Sequence, residues 1–241
     1  MKKKIFLLPH QDDELGVFEI LNKHPNKKNL IIIYLTGERN SLKIKVRNDE
    51  SLKVLKKFGI NMKNIFFLGD KLRIEDQHLI YNLEKTCKNL KKVLRGKKFD
   101  LFTPTWEGGH PDHDATFLIA VKLKKKINFK HYHFPLYSKK NSIFFNLLTP
   151  NQYAENNFDI KLSKYNLKDA LYYLRLTFIY QSQIKTFIIL WPFLILFYLL
   201  TRTQYTLYCK NFILESPGRG KLWYEKRYKI TFQKVNKIAK K

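Results

Sequence analysis

Two short stretches of the chain concentrate side chains able to do hydrolytic chemistry. The first is Pro9-His10-Gln11-Asp12-Asp13-Glu14, and the second is Trp106-Glu107-Gly108-Gly109-His110-Pro111-Asp112-His113-Asp114. Imidazole nitrogens and carboxylate oxygens are zinc ligands, and catalytic zinc sites take three protein ligands while keeping one position open. A His and a carboxylate from one stretch, with a His from the other, make up such a set. A further carboxylate beside them suits a general base for water, and a further His suits the stabilisation of a developing oxyanion. One loop histidine alone carries little information. Two dense His/Asp clusters, each leaving an apolar run and entering a helical pattern, point to one assembled site.

The elements around these clusters repeat a βα rhythm. Ile5–Leu8 reads as a strand, Asp13–Lys23 as a helix, and Leu30–Leu35 as a strand apolar throughout and so buried on both faces. Lys45–Phe58 has helical spacing and ends at Gly59; Ile65–Leu68 is a third strand; Asp76–Leu94 is a helix stopped by Gly96. Phe99–Thr103 is a fourth strand, Asp114–Lys126 a helix and Tyr132–Phe134 a fifth strand. This predicts a mostly parallel, doubly wound α/β sheet with helices on both faces. Ligands in such sheets bind beyond the carboxyl ends of strands, where strand order switches. Both clusters sit at predicted strand ends of that kind. The remainder is expected to hold a helix over Asn166–Tyr180 and a strand-like tail over Tyr205–Leu214 and Tyr228–Phe232.

Taken together, PHQDDE and HPDHD resemble the two signatures of the LmbE-like/PIG-L deacetylases, usually written [AP]-H-x-D-D-E and H-P-D-H. The resemblance covers about residues 3–185, leaving 186–241 as a C-terminal extension. It implies a Rossmann-like fold and zinc-dependent removal of an N-acetyl group from an N-acetylglucosamine-type sugar. By that resemblance His10, Asp13 and His113 are the zinc ligands, Asp12 is the general base, and His110 stabilises the tetrahedral intermediate and protonates the leaving amine. Glu14 falls in a first helical turn, where an acidic side chain suits the helix dipole, and is expected to be structural. Asp112 is a candidate partner of a ligand histidine. Gln11 stands at a variable position often held by Pro.

Weaker similarities lie elsewhere. Thr36-Gly37-Glu38 matches a turn after the second strand, and Lys168, Ala170, Leu171, Tyr180, Ser182 and Gln183 match a later stretch in which the last two pack or cap. Arg47 is a candidate substrate contact, or else an i,i+3 surface partner of Glu50. Asp70 is a candidate for a sugar hydroxyl, or else a turn residue. Trp106 is a candidate to lie against a sugar face, or else a lid over the core.

Composition narrows the partners. The 241 residues carry 46 Lys+Arg (38 Lys, 8 Arg) against 20 Asp+Glu, a net charge of +26, with 44% hydrophobic residues. That apolar content excludes a disordered chain, and two cysteines, Cys87 and Cys209, exclude a disulfide-stapled scaffold. The charge suits nucleic acid, an anionic membrane surface or an anionic substrate. Arg is scarce, and the short lysine runs are not interleaved with aromatics, so no nucleic-acid partner is expected.

Phe187–Leu200, FIILWPFLILFYLL, has no charged residue and is bracketed by Lys185 and Arg202. It is short of the roughly 20 residues of a membrane span. It is either a buried helix or an element seated at a membrane interface. Ile5–Leu8 is too short for the apolar core of a signal peptide, so the expected compartment is cytoplasmic, peripheral at the inner membrane face if 187–200 seats there. A lipid- or diphosphate-linked sugar is the expected substrate; the alternatives are a deacetylase or amidase of a soluble sugar conjugate or, in a different class, a basic membrane-surface or nucleic-acid-binding protein.

Overall fold

The computed structural model describes residues 2–139, 145–208, 212–218 and 220–240. The elements run β1 (Lys3–Leu8), α1 (Phe18–Lys23), β2 (Leu30–Tyr34), α2 (Ser41–Lys57), β3 (Ile65–Phe67), α3 (Leu68–Leu72), α4 (Leu83–Leu94), β4 (Phe99–Pro104) and α5 (Pro111–Lys124). They continue through β5 (Lys130–Phe134), β6 (Tyr137–Lys139), β7 (Phe145–Leu147), α6 (Gln152–Asn157), β8 (Asp159–Lys164), α7 (Leu167–Thr177), α8 (Ile184–Leu196), β9 (Thr203–Tyr208), α9 (Trp223–Tyr228) and α10 (Phe232–Ala239).

Seven strands form one sheet in the order β3-β2-β1-β4-β5-β9-β8, and β6 and β7 make a separate hairpin. β3 through β5 in that order are parallel, whereas β9 and β8 join antiparallel. The order reverses between β1 and β4, which is the switch point where an α/β sheet opens a crevice. Both histidine clusters leave the sheet there.

The sheet is apolar on both faces. Ile5 and Leu7 of β1 belong to a core with α4, α5 and α10, while Phe6 and Leu8 belong to a core with α2, α7 and α8. Residues 186–241 are part of this body: β9 pairs with β5, Leu194 joins one core and Val235 the other.

Several expectations shift. The Asp76–Leu94 helix begins only at Leu83, after a 3-10 turn over Leu79–Asn82, because Gln77 takes φ 69° and the loop before it turns into the crevice. Tyr228–Phe232 is not a strand: α9 ends at Tyr228, Lys229 takes φ 56°, and Thr231 caps α10 by accepting from Lys234 N–H. The other tail strand is found as Thr203–Tyr208; residues 209–211, with Cys209, lie outside the described residues. β8 escapes sequence reading because it is an edge strand whose Ile160 and Leu162 face outward.

Candidate active site

The first loop is built under strain. Asp12 has φ 130°, in a region that favours glycine. Its backbone is held there by Glu14, whose carboxylate accepts the Asp12 N–H at 2.9 Å and the Tyr34 hydroxyl at 3.0 Å. Thr36 Oγ1 donates to the Pro9 carbonyl, fixing the loop to the end of β2. Glu14 is thus structural, as expected, and burial pushes its carboxyl up.

The second loop is built by capping. His110 is the N-cap of α5: its Nδ1 accepts from Asp112 N–H at 3.2 Å, and Pro111 follows at the first helical position. Asp114 Oδ1 accepts from the N–H groups of Glu107 and Gly108, both at 3.1 Å. Glu107, on which no expectation rested, accepts from Leu136 and Tyr137 N–H and lies 3.5 Å from His113 Nδ1. Gly109 admits no side chain, since a Cβ would stand 1.9 Å from the Tyr137 carbonyl oxygen.

Between these loops His10, Asp13 and His113 converge. Asp13 bridges the two histidines: Oδ2 is 3.1 Å from His10 Nδ1 and Oδ1 is 3.3 Å from His113 Nε2. Asp13 Oδ2 also accepts His10 N–H at 2.8 Å. Asp112 stands behind His10, 3.3 Å from its Nε2, and accepts from the N–H groups of Gln77 and Leu79. His110 packs edge-on to His10, with ring centroids 4.6 Å apart.

Burial disfavours charge throughout the site. It opposes ionisation of Asp13, but His113 and His10 hold that carboxyl well below its usual range. Burial would likewise lower His10 and His113; the surrounding carboxylates overcome it, lifting His10 well up and His113 to about 9. Asp12 is raised to about 7, mainly by burial and against the pull of Arg47. Burial and the neighbouring His10 lower His110, so it stands neutral. Because its Nδ1 accepts a hydrogen bond, the proton sits on Nε2, which faces the crevice 3.6 Å from Asp76 Oδ1.

The donor set fits a metal ion. His113 Nδ1 and Nε2 are buried and make no hydrogen bond of good geometry. Ligand atoms of His10, His110 and His113 lie within 4.8 Å of one another, as do those of His10, Asp76, His110 and Asp112. His110 appears in both groups, yet one of its nitrogens already accepts a helix N–H. Asp13, by contrast, turns one carboxylate oxygen to each of His10 and His113.

The expected substrate contacts divide. Arg47 is buried and lines the crevice: it donates to Glu38 Oε1 at 2.8 Å and to the Gln11 carbonyl at 3.2 Å, and lies 3.6 Å from Asp12 Oδ1. It does not pair with Glu50, which instead accepts from Ser182 N–H and hydroxyl. Asp70 does not line the crevice; it accepts from Asn48, which in turn accepts from Gln11, and so supports the first loop from behind. Trp106 is 0% exposed, donates to the Glu215 carbonyl, and packs on Phe117, Phe212 and Phe232. It is core, because the loop containing it turns back onto α5.

The crevice holds about 150 Å³ and is completed by residues without a sequence signature. Asp76 enters from the loop after α3, 3.0 Å from His10 Nε2. Tyr137 packs edge-on to His113, and Tyr228 edge-on to His110. Arg227 and the apolar Phe187, Leu190 and Leu194 finish the walls. A larger cavity of about 840 Å³ lies beyond Glu107, lined by residues such as Thr149, Gln152 and Lys221, and holds no histidine. His10, His110 and His113 all line the smaller space.

Comparison with known proteins agrees with this construction. Residues 5–124 match the family model described as PIG-L: GlcNAc-PI de-N-acetylase. Among curated proteins, none matches the chain at the level of sequence. A deacetylase of the teicoplanin biosynthesis pathway, solved with bog, superposes with a TM-score of 0.62 at 12% identity, covering 86% of this chain and 97% of that one. N,N'-diacetylchitobiose deacetylase from Pyrococcus horikoshii gives 0.59 at 18% identity, covering 86% and 83%. The zinc-inhibited form of teicoplanin deacetylase Orf2 gives 0.61 at 12%, covering 86% and 97%. At such identities the structural likeness speaks to the fold. The family match, lying over both histidine loops, speaks to the chemistry: the chain carries a PIG-L (LmbE-like) family domain over residues 5–124 and is a de-N-acetylase hydrolase.

Proposed function

We propose that the chain is a zinc-dependent deacetylase that frees the amine of an N-acetylglucosamine-type sugar carried on a lipid or a diphosphate. The observation that carries this is the placement of Asp13 between His10 and His113, with Asp12 beside them on the strained turn. Their nitrogen and oxygen donors suit Zn²⁺. When bound, zinc supplies Lewis-acid polarisation of an amide carbonyl and acidifies water.

The chain's own residues do the rest. Asp12, beside Asp13 on the strained turn, takes the proton of the attacking water. His110 donates from Nε2 to the oxyanion, a hydrogen bond that strengthens as charge develops. The proton that Asp12 has taken from water is then given to the leaving nitrogen as the C–N bond breaks, giving acetate and a free amine. Arg47 fixes the Asp12 loop through the Gln11 carbonyl. Asp76 Oδ1, 3.0 Å from His10 Nε2 and 3.6 Å from His110 Nε2, brings negative charge to the edges of both imidazoles.

The acceptor is inferred from the walls. Arg227 makes no ion pair among the described residues, and its guanidinium lies over the Tyr228 ring. A cation so placed suits a phosphate. Phe187, Leu190 and Leu194 offer an apolar path beside it.

Acetate release tests the proposal, with zinc added stepwise and three acceptors compared: a lipid-diphosphate N-acetylglucosamine, UDP-N-acetylglucosamine and N,N'-diacetylchitobiose. The expected order places the lipid-linked sugar first. Equal turnover of chitobiose would replace the acceptor assignment with a soluble one. Asp12→Asn should keep bound zinc and lose about 10²–10⁴-fold in turnover; a fully active variant would refute the role of Asp12.

A further inference from the structure

α8 and the π-helical turn that continues it carry an outer face that does not belong in water. The helical stretch Gln181–Thr201 has 21 residues, and only 22% of its apolar window is buried. The buried positions are Phe187, Leu194, Phe197 and Tyr198, a narrow stripe at helical spacing. Everything outside that stripe from Ile188 to Leu200 is uncharged, and Ile189 and Leu200 are 68% and 71% exposed. α4 presents the opposite solution: it buries Leu83, Cys87, Leu90 and Leu94 and turns Lys85, Lys88 and Lys92 to solvent. The apolar surface widens onto α7, where exposed Phe178 stacks on Trp191 with centroids 4.5 Å apart.

Three features identify what covers this face. The first is the stripe itself. Tyr198 donates to the Leu15 carbonyl, and Trp191 Nε1 donates to Thr177 Oγ1. The helix is held side-on against the domain, so it lies along a surface and does not cross one. The second is charge. Exposed Lys185 and Arg202 mark its two ends, and Lys168 and Arg175 on α7 are exposed beside it. α8 carries no acidic residue. Two copies meeting along α8 would bring cation against cation in either orientation, whereas anionic lipid headgroups would neutralise the same residues. The third is continuity with the crevice: Phe187, Leu190 and Leu194, on the inner side of the helix, line the space that contains His10, His110 and His113.

We propose that the outer face of residues 184–201 is a docking surface for an anionic bilayer, immersed to the depth of the acyl-chain boundary, which sets the mouth of the crevice at the lipid surface. This surface is independent of the identity of the sugar, so its test separates from that of the chemistry.

The experiment is flotation of the full chain with vesicles of phosphatidylglycerol and phosphatidylcholine, or of phosphatidylcholine alone, with acetate release from N,N'-diacetylchitobiose measured in parallel. The wild type should float with the anionic vesicles. The double variant Ile189→Glu/Leu196→Glu, at positions that do not line the crevice, should bind at least tenfold more weakly and release acetate as the wild type does. Lys185→Glu and Arg202→Glu should each weaken anionic binding about fivefold. Wild-type protein that stays at the bottom of the gradient with both vesicle types overturns the proposal. So does a double variant that floats like the wild type. A wild-type dimer that floats with neither and is split by Ile189→Glu/Leu196→Glu would reassign the face to contact between copies. Absence of acetate release from wild type and variants alike would exclude chitobiose as an acceptor and leave the flotation result standing.

Discussion

The loops after β1 and β4 leave neighbouring strands at the same end of the sheet, and they position their side chains by opposite means. The first holds Asp12 at a backbone angle that costs free energy and relies on buried Glu14, Tyr34 and Thr36 to keep it there. The second enters a helix with a cap, a proline at the first helical position and two carboxylates, Glu107 and Asp114, bonded to backbone N–H groups. Strain in one loop holds the Asp12 carboxylate against the crevice. Local satisfaction in the other gives fixed imidazoles. The lesson is that a site needs only one of its walls to be strained if the other is rigid.

Replacing His113 by Ala should break this division most severely. Asp13 then has one histidine to face, and bound metal and acetate release should both disappear; metal analysis of the purified variant measures the first directly. Metal removal by a chelator should do the same to the wild type, reversibly. Glu107→Gln should have a smaller effect, because an amide oxygen can still accept from Leu136 and Tyr137 N–H while the charge facing His113 Nδ1 is lost. A loss of about 10–100-fold in metal affinity is expected, with the fold unchanged.

Acid should loosen the second loop before the first. β4 is pinned to β5 beneath that loop by Thr103 with His131 Nε2 at 2.8 Å and Thr105 with His133 Nδ1 at 2.9 Å. Burial pushes His131 down to about 3 and His133 well down as well. A histidine whose folded value lies below its unfolded value of about 6.5 gives its full stabilisation above that pH and loses it as pH falls toward the folded value. By pH 5 His131 should have cost roughly 2 kcal/mol of stability, and His133 acts in the same direction. Thermal unfolding at pH 7.5 and pH 5 measures this, and His131→Gln should flatten the slope by about one proton. The smallest effect belongs to the first loop. Asp12→Gly should relieve the strained angle and raise stability by roughly 1 kcal/mol while abolishing turnover. A glycine at His110, where the backbone is extended, should give no such gain.

Much of this was legible from residue order. Five parallel strands and both loops follow from apolar runs punctuated by His/Asp clusters, and the six clustered residues His10, Asp12, Asp13, His110, Asp112 and His113 come together as their spacing suggests. What escaped is what tertiary packing decides. Asp76 sits in a loop with no signature and reaches His10 because β3 ends beside β2. Arg227 and Tyr228 enter because α9 returns across the crevice, a path no local pattern reveals. Trp106 was ambiguous because an aromatic residue at a glycine turn can face either way, and here the core claims it. The same holds for Asp70, whose loop position disguises a bond to Asn48.

Glu50 has a consequence for how such a protein can diversify. It stands one turn from Arg47 on α2 and receives both the N–H and the hydroxyl of Ser182, at the root of α8. The junction is polar, and beside it Tyr180 stacks on Phe187 of α8. Residues 184–201 are therefore free to drift only on the outer face, at positions such as Ile189 and Leu196, because Ser182 is tied to Glu50 and the stripe of Phe187, Leu194, Phe197 and Tyr198 is tied to the core.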